Sequence, residues 1–194
     1  MLTLSLTSLE FFSERRDLAG VLASACSGAI FSNSLKHRYV LWRVWGGTSR
    51  LALFVGLNPS TADESRDDPT IRRCLGFARH LGYSGMLVAN LFAYRATDPE
   101  DLFRVEDPIG ADNDVWLDLA GSCACDTIAC WGNHGKQHQR GASVVPTLKD
   151  PKCFCLTKAG EPSHPLYLPS TATPTRLREA LPPNSRPEGD CQAF

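Results

Sequence analysis

Between residues 51 and 157 the chain repeats one pattern: a short apolar run of strand length, a polar loop, then a segment carrying helix-start signals. The runs are Leu51–Leu57, Met86–Leu91, Thr127–Trp131 and Lys152–Thr157. Short runs that stay apolar rather than alternate belong to strands buried on both faces. The intervening segments read as helices. Asp68 is an N-cap with Pro69 at the first helical position, and the helix continues through Ile71, Cys74, Leu75 and Ala78 to a stop near Gly82. Asp112, Asn113 and Asp114 place acidic residues at the start of a second helix, which suits its dipole. Gly135–Leu148 reads as a third. Strands alternating with helices make βαβ units, so the expected class is α/β with a mainly parallel four-stranded sheet covered on both faces.

The flanks are less regular. Tyr39–Trp45 alternates as a strand does, Gly46-Gly47-Thr48 is a turn, and Arg50–Leu57 follows, so an N-terminal β-hairpin is expected. Residues 1–36 read as an N-terminal extension with one helix over Leu9–Ala25, residues 37–169 as the α/β domain, and residues 170–194 as an irregular tail with prolines among Ser, Thr and Arg. No internal repeat is present. No apolar run approaches the roughly 18 residues of a membrane helix. Val21–Phe31 is short, follows Glu14, Arg15, Arg16 and Asp17, and lacks a cleavage site, so a cytoplasmic protein without membrane contact is expected.

Composition narrows the partners. Hydrophobic residues are 43% of the 194 residues, which suits a globular chain. Twenty Lys and Arg face 21 Asp and Glu for a net charge of −1, which excludes holding nucleic acid by bulk positive charge and leaves room for a local basic cleft. Eight cysteines lie at positions 26, 74, 123, 125, 130, 153, 155 and 191, with no C-x-x-C pair. In a cytosolic chain of this size they read as buried thiols. The competing reading is a zinc site from Cys123, Cys125, Cys153 and Cys155 with His134 or His138, because C-x-C in a strand points both thiols to one face. Packing is preferred, so no metal and no cofactor is assigned.

In a parallel sheet, ligands bind where loops leave the carboxyl ends of the strands. The first such loop is Gly56-Leu57-Asn58-Pro59-Ser60-Thr61-Ala62-Asp63. Asn58 and Asp63 are candidates to face a cleft, Asp63 holding or activating water, with Pro59 and Ser60 beside them; the bland reading is a capped turn. The second strand ends in Asn90, whose amide suits paired contacts with a nucleobase edge, and Phe92 or Tyr94 could stack on a ring; otherwise Asn90 caps a turn and the aromatics are core. The third loop, Trp131-Gly132-Asn133-His134-Gly135-Lys136, opens a helix and suits one phosphate, but it lacks the Walker pattern. The fourth holds His164 between Pro162 and Pro165, placed to donate to charge on a leaving group, with Tyr167 beyond it. Arg66, Arg72, Arg73, Lys136 and Arg140 are candidate phosphate contacts, each equally at home on a solvated helix face.

Taken together, Asn58-Pro59-Ser60-Thr61-Ala62-Asp63, Asp67-Asp68-Pro69-Thr70-Ile71-Arg72-Arg73, Asn90-Leu91-Phe92-Ala93, Trp131-Gly132 and His164-Pro165-Leu166-Tyr167 resemble an uncharacterised family of small bacterial and phage proteins over roughly residues 37–170. More distantly, Gly56-Leu57-Asn58-Pro59, Asn90, Trp131-Gly132 and His164-Pro165 fall in the order of the motifs of the uracil-DNA glycosylase superfamily. That resemblance implies a three-layer α/β/α sandwich in which Asn58 positions water, Asn90 reads the base and His164 stabilises the departing base. Two departures stand out. Pro165-Leu166-Tyr167 replaces a small residue after His-Pro, and Asp63, Asp67 and Asp68 add acidity near the expected pocket wall. The expected function is a glycosylase-like protein hydrolysing the N-glycosidic bond of a (modified) base, with DNA or a nucleotide as partner. The alternatives are a non-catalytic module binding a nucleotide or modified DNA, and a hydrolase or transferase acting on a free nucleotide.

Overall fold

The computed structural model describes residues 2–13 and 17–180. In chain order the elements are β1 (Thr3–Thr7), α1 (Ser8–Ser13), α2 (Leu18–Ser24), β2 (Ser27–Phe31), β3 (Arg38–Val44), β4 (Leu51–Gly56), α3 (Pro69–His80), β5 (Gly85–Asn90), α4 (Asn113–Cys123), β6 (Asp126–Ala129), α5 (Arg140–Val144), β7 (Lys152–Cys153), β8 (Thr175–Arg176) and α6 (Leu177–Ala180). The fold is α/β with one mixed sheet of eight strands, ordered β1-β2-β3-β5-β4-β6-β7-β8.

The expected sheet of four strands is therefore too small. β5, β4, β6 and β7 do run parallel, but antiparallel β3 and β8 close their two sides and β2 and β1 extend the first. A parallel block of four would leave a row of unpaired backbone donors and acceptors at each edge. Of the added strands, β3 matches the strand expected over Tyr39–Trp45, β8 has only two residues, and β1 and β2 are five-residue strands that begin with Thr and Ser. The N-terminal hairpin is also corrected. β3 and β4 do not pair, because β5 lies between them. The antiparallel neighbour of β3 on its other side is β2. Residues 3–7 and 27–31 of the expected extension are thus sheet strands, and residues 175–176 of the expected tail are too; residues 181–194 of that tail lie outside the described residues.

Two cores lie on opposite faces of the sheet. Along β4, Leu51, Leu53 and Val55 join α1, α2 and α4 through Phe11, Leu22 and Trp116. The alternate residues Ala52 and Phe54 join α3 through Ile71, Cys74 and Phe77. This period of two explains why the strands read as uniformly apolar: both faces are covered. Helix α3 starts as expected, with the Asp68 carboxylate accepting from the Ile71 amide at 2.8 Å. The N-terminal helix expected over Leu9–Ala25 is divided, and Asp17 caps the second piece through Ala19 and Gly20. The helix expected over Gly135–Leu148 is broken as well. His138 and Gln139 take positive φ of 51° and 55° and leave only α5 as an α-helix. The strand expected over Lys152–Thr157 keeps two residues. No described helix is long and apolar enough to cross a membrane.

Candidate functional site

A cavity of about 670 Å³ opens at the carboxyl ends of β4, β5 and β6, between the start of α3 and the loop carrying His164. This volume is in the range that holds a small-molecule ligand. Of the residues singled out in the sequence, Asn58, Ser60, Asn90, Trp131, Asn133, His164 and Tyr167 line it. Four separate stretches of chain thus converge on one hollow.

Each of these side chains is placed by a local device. Asn58 donates its amide to the carbonyls of Pro59 (3.0 Å) and Ala96 (2.7 Å). Its Nδ2 is thereby committed, and its Oδ1 remains the group for a ligand or water. Asn90 is the last residue of β5 and only 3% exposed, and its Nδ2 has no partner. Room for it comes from Gly56, its parallel neighbour: a Cβ there would stand 2.8 Å from Asn90 Oδ1. The backbone carbonyl of Asn90 is held by the buried Asn113 amide at 3.1 Å. Trp131 packs against Gly135, where a Cβ would come within 1.9 Å of its ring, and its Nε1 donates to Glu161 at 2.7 Å. His164 accepts from the Leu166 amide through Nδ1 at 3.4 Å, so Nε2 carries the ring proton. Burial lowers its pKa and Asp68 opposes that shift, so it enters neutral solution as the uncharged imidazole. Tyr167 stands at the mouth, 84% exposed, with its ring 5.8 Å from that of His164.

Other candidates are placed elsewhere. The Asp63 carboxylate turns into its own loop, accepting from the amides of Ser65 (2.9 Å) and Arg66 (2.7 Å). Burial would raise its pKa, but these amides and the Ser65 hydroxyl hold it below the ordinary value. Pro59 and Phe92 are buried away from the hollow, and Tyr94 packs edge-on against His37. Arg66, Arg72 and Lys136 are exposed and do not line it. Arg73 donates to the carbonyls of Pro165 and Leu168 and lies over the Phe77 ring, so it clamps the His164 loop onto α3. Buried Arg140 donates to the Leu91 carbonyl at 2.9 Å and pairs with Asp114.

The described cysteines are placed individually. Among the described residues no group of three or more His, Cys, Asp and Glu is arranged to hold a metal. Cys123 ends α4 and Cys125 follows in a loop, so their C-x-C is not in a strand. Cys125 donates to the Leu51 carbonyl, and burial pushes the Cys153 thiol up to about 11. In the cavity wall, a hydrogen bond to Cys130 and burial hold the Cys74 thiol well above the usual range, so it stays protonated.

Arg38 and Arg43 escaped sequence reasoning, and Asp68 was placed only near the pocket wall. Arg38 opens β3, lines the cavity and is 2% exposed. Its Nη1 donates to the Ala62 carbonyl at 2.5 Å, its Nε has no partner, and burial pulls its pKa down to about 10 against the attraction of Asp68. Asp68, expected as a helix cap and as added acidity near the pocket wall, is the carboxylate of that wall. Arg43, at the other end of β3, binds Asp67 at 2.8 Å and the carbonyls of Asp63 (2.8 Å) and Glu64 (3.1 Å), and so shapes the loop between β4 and α3. The only signal was a pair of arginines bracketing an otherwise apolar strand, which periodicity does not interpret.

No curated protein and no solved structure matches the chain. Residues 38–166, more than half of the 194, match the family described as Protein of unknown function (DUF1643), and that span contains both β3 arginines and every cavity-lining candidate except Tyr167. The chain belongs to this family.

Proposed function

We propose that the protein recognises a nucleobase in this cavity and hydrolyses its N-glycosidic bond, acting on DNA or a nucleotide. The observation that carries the reading is the Asn90 amide, buried without a partner in a cavity wall. An orphaned buried donor costs about 1–3 kcal/mol, which a carbonyl or ring nitrogen of a base would recover. The resemblance to uracil-DNA glycosylases supports it, because Asn58, Asn90, Trp131 and His164 share one hollow in the motif order of that superfamily.

In this reading Asn58 Oδ1 accepts from a water and aims its lone pair at the sugar carbon. The carbon–nitrogen bond breaks with its electron pair going to the base. The proton-bearing Nε2 of His164 hydrogen-bonds the base as negative charge develops on it, and Trp131 and Tyr167 flank the ring. The water's proton passes to solvent or to the departing base.

The test is incubation of the full chain with single strands and duplexes carrying uracil or modified bases, followed by alkaline cleavage at abasic sites. Product formed by the wild type and lost in Asn90→Ala and His164→Gln is expected. One observation favours a non-catalytic binding module instead: the Asp63 carboxylate is committed to its own loop and Asp68 Oδ1 to the Ile71 amide. Tight binding with no product from any substrate would establish that second reading.

A further inference from the structure

We infer that the same cavity holds a phosphate group of its ligand, taken by the buried Arg38 guanidinium together with the first turn of α3, beside the Asn90 amide that takes the base. The inference rests on the proposed reading in taking the ligand to be a nucleotide, and it adds which part of that nucleotide the cavity binds.

The argument is one of unmet donors. Among the described residues of the cavity wall, the buried side-chain atoms without partners are Arg38 Nε and Asn90 Nδ2, and both are donors. The ligand must therefore bring acceptors. Arg38 raises the requirement from polar to anionic. It is a buried cation whose hydrogen bond to the Ala62 carbonyl occupies Nη1. Nε and Nη2 are left as one of the two parallel-donor edges that fit an oxyanion side by side. A buried charge without a direct counter-ion is unfavourable until one arrives. Asp68 is the nearest opposite charge on the wall, but its Oδ1 holds the Ile71 amide and it makes no ion pair with Arg38. His164 is neutral and adds no competing positive charge.

The third contributor is the start of α3, a 12-residue helix whose first-turn residues Pro69, Thr70 and Ile71 line the cavity. The Thr70 amide has no intrahelical acceptor at that position, and the helix dipole favours an anion there. Donors from β3 and α3 thus converge on one volume beside Asn90. Their number suits the several oxygens of a phosphate better than a single carbonyl. The exposed arginines and lysine expected to bind phosphate line none of it.

The phosphate could belong to a free nucleotide or to a strand, and the test separates the two. The full chain is titrated calorimetrically with a panel of nucleosides, their 5′-monophosphates, inorganic phosphate and a short single strand. Monophosphates at least about tenfold tighter than the matching nucleosides are expected, with that ratio falling to within about twofold in Arg38→Gln. The strand binding as tightly as the monophosphate assigns the phosphate to a polymer; monophosphate alone assigns it to a free nucleotide. Equal affinity for nucleoside and monophosphate in the wild type overturns the inference, whether or not Arg38→Gln folds, and so does a preference that survives the substitution. Should no nucleoside or monophosphate bind while inorganic phosphate binds in an Arg38-dependent way, the base-recognition reading fails and the anion site stands. Nothing binding at all overturns both.

Discussion

Gly56→Ala separates the site from the fold. Gly56 ends β4 in ordinary strand conformation, so alanine meets no backbone strain there. The added methyl would meet one atom closely, Asn90 Oδ1 at 2.8 Å, with Asn90 Cγ next at 3.9 Å. Both belong to the end of a side chain, so the amide can swing away. A displaced rotamer costs about 0.5–1.5 kcal/mol. Replacing glycine by alanine gains about 0.4–1 kcal/mol through the unfolded chain. The two nearly cancel, and a residual within about 1 kcal/mol moves the Tm of a chain this size by no more than about 4 °C. Binding should not cancel, because the Asn90 donor no longer points into the cavity. Losing that hydrogen bond to a ligand is worth about 1–3 kcal/mol, or roughly 5- to 150-fold in Kd. The assays are thermal denaturation and calorimetric titration with the tightest ligand of the panel above. Gly28→Ala is the contrasting control: its Cβ would fall 2.1 Å from the Trp42 ring and 2.4 Å from the Leu4 carbonyl, and overpacking against backbone should unfold or strongly destabilise the chain. A fall in Tm above about 10 °C for Gly56→Ala, or unchanged affinity, refutes the reasoning.

Three further outcomes are expected. Arg43→Met should destabilise by about 3 kcal/mol in urea unfolding, because it strands Asp67 and frees the carbonyls of Asp63 and Glu64. Gly135→Ala should unseat Trp131, breaking its bond to Glu161 and shifting its fluorescence to longer wavelength, with a cost of about 1–3 kcal/mol. The His164 pKa is lower in the folded chain than its ordinary 6.5 because of burial, so the unfolded chain binds more protons near that pH. The resulting stability is present above pH 6.5 and is lost as pH falls through the folded value; comparing urea midpoints at acidic and neutral pH should show a shallower decline for His164→Gln.

The carboxyl-end loops were legible because local chemistry and global position agree there. Asp68 and Pro69 start a helix by themselves, and an apolar run before Asn58 or Asn90 marks a strand whose end must turn. The aromatics and cations were not legible. Phe92 and Tyr94 have the right chemistry for stacking, yet the packing of β5 against α4 and β3 takes them elsewhere. Arg73 and Arg140 carry charge that any phosphate would accept, but backbone carbonyls reached them first. Asp63 found the amides two and three residues ahead of it, a local bond that removes it from the cavity.

Sequence alone determined the α/β class, the parallel block and the loops that would hold the cavity, because hydrophobic period and capping act over a few neighbouring residues. Tertiary structure decided that the sheet has eight strands, that β5 inserts between β3 and β4, and that Arg38 faces the ligand space. Those outcomes depend on pairing and burial between residues tens of positions apart, such as Arg38 with Ala62 and Gly56 with Asn90. No window along the chain contains the edge that must be covered or the carbonyl that will be free when a distant arginine arrives.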